Sequence, residues 1–271
     1  MRLMRYAFLV AYDGTGYYGF VRQPNLPTVE GELLKAFQSF GLYSEPPKAR
    51  YRAAARTDRG ASAVGQVVAL DVLKLPDVSA LNAILPPDIA ILGAKEVDRS
   101  FDPRKHATRK CYRYVCETPV DFDLEKAREA AKLFEGMHDF RNFCKREKGR
   151  RTVAEITKAR VDSDGILIFD FEARAFLWQQ VRRLVNAILA VGTGELSMEE
   201  LREMLDGHLD SPISPAPPEG LILMKVKYAD VKLEPNPTLA QKFIEHLHKK
   251  LAFHSQRTAV YKNILSEMTN I

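Results

Sequence analysis

The amino-acid sequence predicts an α+β protein built from two similar halves that share one mostly antiparallel sheet. Three observations point there. Segments with strand and helix character come in two comparable sets of strand-helix-strand-strand flavour, with a break near residues 100–108. The second set contains a hairpin, whose strands pair antiparallel. The proline-rich stretch 211–219 reads as a loop feeding a final strand, not as a linker between domains.

The elements follow in order. Residues 5–12 read as a buried strand, and 28–40 as a helix with Val29, Leu33, Phe37 and Phe40 on one face and Gly41 as its stop. Residues 52–71 read as loop then strand, with Val64, Gln66, Val68 and Leu70 on one face and Val67 and Ala69 on the other. A short helix over 79–85 ends at Pro86-Pro87, and 89–97 is a strand. The second set opens with a strand over 112–117. Asp123 then caps a helix that buries Leu124, Ala127, Ala131 and Phe134 and stops at Gly136. Residues 155–173 form the hairpin, turning at Asp162-Ser163-Asp164-Gly165. A long helix over 177–191 precedes Gly192, Ser197 and Glu200 form a capping box, and 221–228 is the closing strand. After Glu234-Pro235-Asn236-Pro237, Thr238 and Gln241 cap a last helix. The resulting division is 1–105, 106–230 and a helical appendage from 231 to 271.

With 271 residues the chain can bury one large core or two modest ones. A net charge of +5 suits a polyanionic partner without requiring one. Cys111, Cys116 and Cys144 form no C-x-x-C pair, which argues against a disulfide scaffold or a cysteine-rich zinc site and for a reducing compartment. Arg2 and Arg5 precede only a short apolar run, broken by Asp13 and Gly14, too short for a signal peptide or a bilayer span. A soluble, cytoplasmic protein is expected.

Several motifs carry chemistry. Gly14-Thr15-Gly16-Tyr17-Tyr18-Gly19 fits G-x-G-x-x-G after a strand, but Pro24 and Pro27 follow where a phosphate-binding helix would open. A glycine-rich turn carrying two exposed tyrosines is the better reading. In Ala53-Ala54-Ala55-Arg56-Thr57-Asp58-Arg59-Gly60-Ala61 a carboxylate sits between two arginines among small residues. Flanking cations would hold Asp58 ionised, fit to act as nucleophile or base; an ordinary loop ion pair is the plainer alternative. Tyr112 and Tyr114 share a strand face opposite Arg113, as in sheets that stack unpaired bases, or simply as half-buried core. His138 reads as a structural hydrogen-bonding residue. Six cations and one acid lie between Arg141 and Arg151, a phosphate-binding loop or a solvated charge run. Arg182 and Arg183 near a helix start oppose the helix dipole, so Arg182 either meets an anion or snorkels.

Taken in order, these motifs resemble the TruA-type family of tRNA pseudouridine synthases up to about residue 230. Tyr12-Asp13-Gly14-Thr15 with Tyr18-Gly19-Phe20 matches the family's opening motif, and Arg56-Thr57-Asp58-Arg59-Gly60 its catalytic one. Asn82 with Leu85-Pro86 and Asp88-Ile89, Tyr112-Arg113-Tyr114, His138-Asp139-Phe140, Ala175-Phe176 with Val181-Arg182, and Pro218 through Leu223 follow in family order. Departures are Phe20-Val21 for a frequent Trp-Gln, Ala61-Ser62 for Val-His, Cys111 for a basic residue, and Trp178-Gln179 for histidines. They give the chain an archaeal or eukaryotic style.

The resemblance implies two ferredoxin-like, RRM-like halves in a continuous sheet, helices on one side and a central active-site cleft. It implies isomerisation of uridine to pseudouridine in the anticodon stem-loop of tRNA by a homodimer. No cofactor and no metal are needed, because nothing is oxidised and no group is gained. It makes Asp58 the nucleophile, Arg182 its orienting partner and Tyr112 the residue that stacks on the base. Arg56 would support the extruded nucleotide; Arg59, Leu221, Arg22 and Arg150 are further substrate-binding candidates. A non-catalytic RNA-binding module on the same scaffold is the alternative, and a nucleotide-dependent small-molecule enzyme is a third reading.

Overall fold

The computed structural model describes residues 3–44 and 50–269. Met1 and Arg2 of the N-terminal reading, and the last two residues of the C-terminal appendage, lie outside the described residues.

Among the described residues, ten strands and six helices follow one another along the chain. They are β1 (Met4–Tyr12), α1 (Val29–Ser39), β2 (Arg52–Ala53), β3 (Ser62–Val72), α2 (Val78–Ile84), β4 (Ile89–Val97), β5 (Ala107–Cys116) and α3 (Leu124–Leu133). Then come β6 (Gly136–Asp139), β7 (Val153–Ile156), β8 (Lys158–Ser163), β9 (Leu167–Ala173), α4 (Gln180–Thr193), α5 (Met198–Asp206), β10 (Leu221–Tyr228) and α6 (Gln241–Thr269). The main sheet runs β4-β1-β3-β10-β5-β9-β8, with β2 on β3. Every pairing is antiparallel except β3 with β10. That short parallel contact, Ile222 to Ser62 and Leu223 to Ala63, joins the two halves. Gly65 permits it, because a Cβ there would meet the Met224 carbonyl oxygen at 2.3 Å.

Local chemistry explains the elements. Thr28, Asp77, Asp123 and Ser197 each accept a backbone N–H as N-caps, and Ser197 with Glu200 closes a full capping box. Strand β9 alternates cleanly: Leu167, Phe169, Phe171 and Ala173 are buried, and the residues between them are half-buried. Beside β4, Asn236 N–H donates to the Leu92 carbonyl and the Asn82 amide donates to the Leu239 carbonyl. Phe243 packs with Ala11 and Ala90, so the appendage is anchored at its root. Among the described residues, no helix is long and apolar enough to cross a membrane.

Several boundaries differ from the sequence expectation, each for a physical reason. Strand β5 begins at Ala107 rather than 112, because its charged start is drawn into the ladder by pairing with β10 and β9. Glu155 and Ile156 leave the hairpin and pair with β6 in a separate two-stranded sheet. Gly192 lies inside α4, where a Cβ would strike the Phe122 ring; Gly194, at φ +80°, is the stop. Asn236, not Thr238, caps the turn before α6. Val64 is exposed, while Gln66, Val68 and Leu70 on the same strand are buried. The last strand, β10, occupies the middle of the sheet.

A buried ion cluster staples the first half. Asp71 accepts from Arg5 at 2.8 Å and from Arg50 at 2.6 Å, with Arg5 and Asp71 both 3% exposed. Burial opposes the Asp71 carboxylate, but the hydrogen bonds and charges of Arg50 and Arg5 outweigh it and hold its pKa below the usual value. Asp71→Asn is expected to destabilise the fold by about 3–5 kcal/mol, since two cations lose their counter-charge. The lowered folded pKa makes this stabilisation complete above the unfolded-state value of 3.8 and lost as pH falls through the folded one. Thermal unfolding of the two proteins at neutral and acid pH checks it: their midpoints should converge in acid, and a gap unchanged there would contradict the assignment.

Candidate active site

The loop between β2 and β3 carries Asp58 and is fixed from several sides. Ala54 N–H donates to the Val67 carbonyl, and the buried Gln66 side chain donates to the Ala55 carbonyl while accepting from its N–H. Tyr12 Oη and Thr57 Oγ1 share a hydrogen bond of 2.8 Å. Phe20 N–H donates to the Thr57 carbonyl. Gly14 and Gly19 let the turn after β1 lie against this loop: a Cβ on Gly14 would sit 2.0 Å from the Ala61 oxygen. The G-x-G-x-x-G spacing thus serves close packing, not a nucleotide. The turn is a short 3-10 element, and no helix opens there. Its two tyrosines part company. Tyr17 is buried, donating to Asp88, a correction to the expectation that both are exposed; Tyr18 is exposed beneath Arg59, 4.3 Å from the ring centroid.

Gly14→Ala is therefore expected to destabilise the protein by about 1–3 kcal/mol through overpacking. Thermal unfolding checks this, and a wild-type midpoint would show that the loop yields freely.

Among the described residues, Asp58 meets one cation. Arg182 Nη1 donates to Asp58 Oδ2 at 2.7 Å, with the side chains 11% and 23% exposed. Arg182 sits in the first turn of α4, and its Nε donates to the Ala216 carbonyl, which aims the guanidinium. The flanking arginines do not hold Asp58 as the local sequence suggested. Arg56 is exposed along the cleft wall, and Arg59 turns away onto Tyr18. An ion pair 124 residues apart in sequence replaces the local one.

Asp58, Arg182 and Arg56 line a cleft of about 610 Å³ between the two halves. Tyr112 and Leu221, from the adjoining strands β5 and β10, line it beside Asp58. Tyr112 is 9% exposed and meets Phe176 edge-on. Burial first, then the neighbouring Tyr12 and Asp58, raises its hydroxyl above the usual pKa. Tyr114 points into core instead, its pKa pushed up to about 12 chiefly by burial, so the two tyrosines do not form an open stacking strip.

Lys110 also lines the cleft, and sequence reasoning missed it. It is 7% exposed, and its Nζ donates to the Ala54 carbonyl at 2.6 Å. Burial, with help from Arg104, pushes its pKa down to about 8. In the sequence it is one more cation in a charged strand start; only the alternation with Tyr112 and Tyr114 signals an inward face.

The 141–151 loop divides. Arg141 pairs with Asp139, and Arg146 with Asp210, away from the cleft. Lys145, Arg150 and Arg151 line it, Arg150 lying 3.5 Å from Glu147. Arg22 is exposed in a separate depression beside α1. His138 Nε2 bonds the Glu135 carbonyl, a structural role. Among the described residues no group of three or more His, Cys, Asp or Glu is arranged to hold a metal ion.

Comparison with known proteins identifies the family. A family model described as tRNA pseudouridine synthase matches residues 130–229. The tRNA pseudouridine synthase A of Pyrococcus abyssi is 44% identical over 91% of this chain and 93% of its own. That of Thermococcus kodakarensis is 39% identical over 97% and 100%. Among solved structures, a pseudouridylate synthase is a distant likeness, at 13% identity and a TM-score of 0.35 over 89% of this chain and 74% of the other. On the strength of the two relatives, the chain belongs to the tRNA pseudouridine synthase A family.

Proposed function

We propose that the protein isomerises uridine to pseudouridine in the anticodon stem-loop of tRNA, with the Asp58 carboxylate as covalent catalyst. The observation that carries this is the Asp58–Arg182 pair at 2.7 Å, set with Tyr112 in a cleft bordered by cations. The reaction breaks the N1 to C1' bond, turns the uracil, joins C5 to C1', and moves a proton from C5 to N1. Atoms and electrons balance without any cofactor. One carboxylate can begin it by attacking C6, by attacking C1', or by promoting a glycal; all three need Asp58 bare and oriented, which Arg182 supplies. Tyr112 is poised to stack on the base and, kept neutral by its raised pKa, to hold or pass a proton.

A uridine within a helix hides its ring, so reaching Asp58 requires extrusion at a cost of a few kcal/mol. Arg56, exposed on the cleft wall, is suited to hold the vacated position, and Leu221 to border the base. Arg150 would engage the RNA backbone at the cleft; Arg59 and Arg22, outside it, fit the flanking RNA. Residues 1–105 and 106–230 act as the two halves of this site, 231–271 as an appendage, and the working form is a cytoplasmic homodimer sharing one tRNA.

The test follows from the chemistry. A tRNA transcript carrying tritium at uridine C5, incubated with the protein and no added cofactor, should release tritium to water in step with modification. A non-catalytic RNA-binding module would bind the transcript and release none.

A further inference from the structure

Trp178 is the one tryptophan of the chain, and 45% of it is exposed. An indole left open in a polar cleft forgoes the burial that normally rewards so large an apolar surface. It is also held in place. The Lys145 ammonium lies 3.9 Å from its ring centroid, and Lys145 N–H donates to the Trp178 carbonyl at 2.8 Å. Gln179, at φ +61°, turns the chain sharply just before α4, so Trp178 stands at the entrance to the helix that bears Arg182. The surrounding cleft carries Arg150 and Arg151, which favour phosphate over an apolar partner.

We infer that Trp178 is a stacking platform for an unpaired nucleobase next to the target uridine, steadied by Lys145. Resting on the RNA-substrate reading above, it assigns a second base-binding position beside the catalytic one. Aromatic stacking tolerates any base, so the platform reads unpaired geometry more than sequence.

The single tryptophan makes the test direct. Full-length Asp58→Asn protein is titrated with end-labelled stem-loop RNA, following label anisotropy for binding and tryptophan emission for stacking. Emission should fall in parallel with the anisotropy rise, and an abasic site at one position flanking the target should remove the quenching. In the otherwise wild-type protein, Trp178→Ala should lower kcat/KM about 5- to 150-fold. Trp178→Phe should restore most of it, with both melting midpoints unchanged. Binding without quenching, quenching indifferent to every abasic position, or full activity in Trp178→Ala would each overturn the platform. Quenching by RNA from a wild-type protein that makes no pseudouridine would instead support the platform and sink the enzymatic reading.

Discussion

Asp58→Asn is expected to lower turnover by on the order of 10⁴- to 10⁶-fold, the scale seen when a nucleophile or its partner is removed, while tRNA affinity stays within a few fold. Asparagine keeps the side-chain volume and an oxygen facing Arg182 Nη1, so the 2.7 Å contact and the loop that bears it have no reason to collapse. What the variant lacks is the charge proposed to attack. The loop's own clamps, Gln66 on Ala55, Tyr12 on Thr57 and Lys110 on Ala54, do not involve the carboxylate. On the proposed reading, RNA is held by cations elsewhere in the cleft, so removing an anion is expected to leave affinity unchanged or strengthen it. Single-turnover rates with filter-binding constants separate the two quantities. A parallel loss of both would mean that Asp58 docks RNA.

Arg182→Ala is expected to cost about 2–5 kcal/mol in kcat/KM, because it strands a half-buried carboxylate without its partner. It also removes the Nε bond to the Ala216 carbonyl, so the melting midpoint falls too. Arg182→Lys distinguishes positioning from bulk stability. Lysine keeps the charge but not the fork that reaches Ala216 and Asp58 together, so its rate should remain low while its midpoint recovers part of the loss. A rate restored by lysine would show that charge alone suffices and orientation does not matter.

Strands with local patterns were legible in the sequence. The apolar runs at β1 and β4, and the capped amphipathic helices α1, α3 and α5, write their boundaries in neighbouring residues. Pairings across the chain leave no such trace. Nothing local tells that β10 slots between β3 and β5, or that Ala107 to Cys111 extend a strand whose charges look like a loop. The site behaves alike. Asp58 stood out among small residues, but its neighbours Arg56 and Arg59 were the wrong cations, since adjacent residues on an extended loop diverge. Arg182 was signalled by the unfavourable placement of a cation at a helix start, and the anion waiting there is Asp58. Lys110 left strand alternation as its one signal, because its burial comes from the sheet around it.

Mapping pseudouridine shows whether one carboxylate turns this cleft into a uridine isomerase. Unmodified tRNA transcripts are treated with wild-type protein or Asp58→Asn, without cofactor, then probed by carbodiimide labelling and primer extension. New stops are expected at anticodon-stem uridines with the wild type and none with the variant, at equal RNA binding. Stops made equally by both proteins, or none on any transcript that the wild type binds tightly, would contradict it.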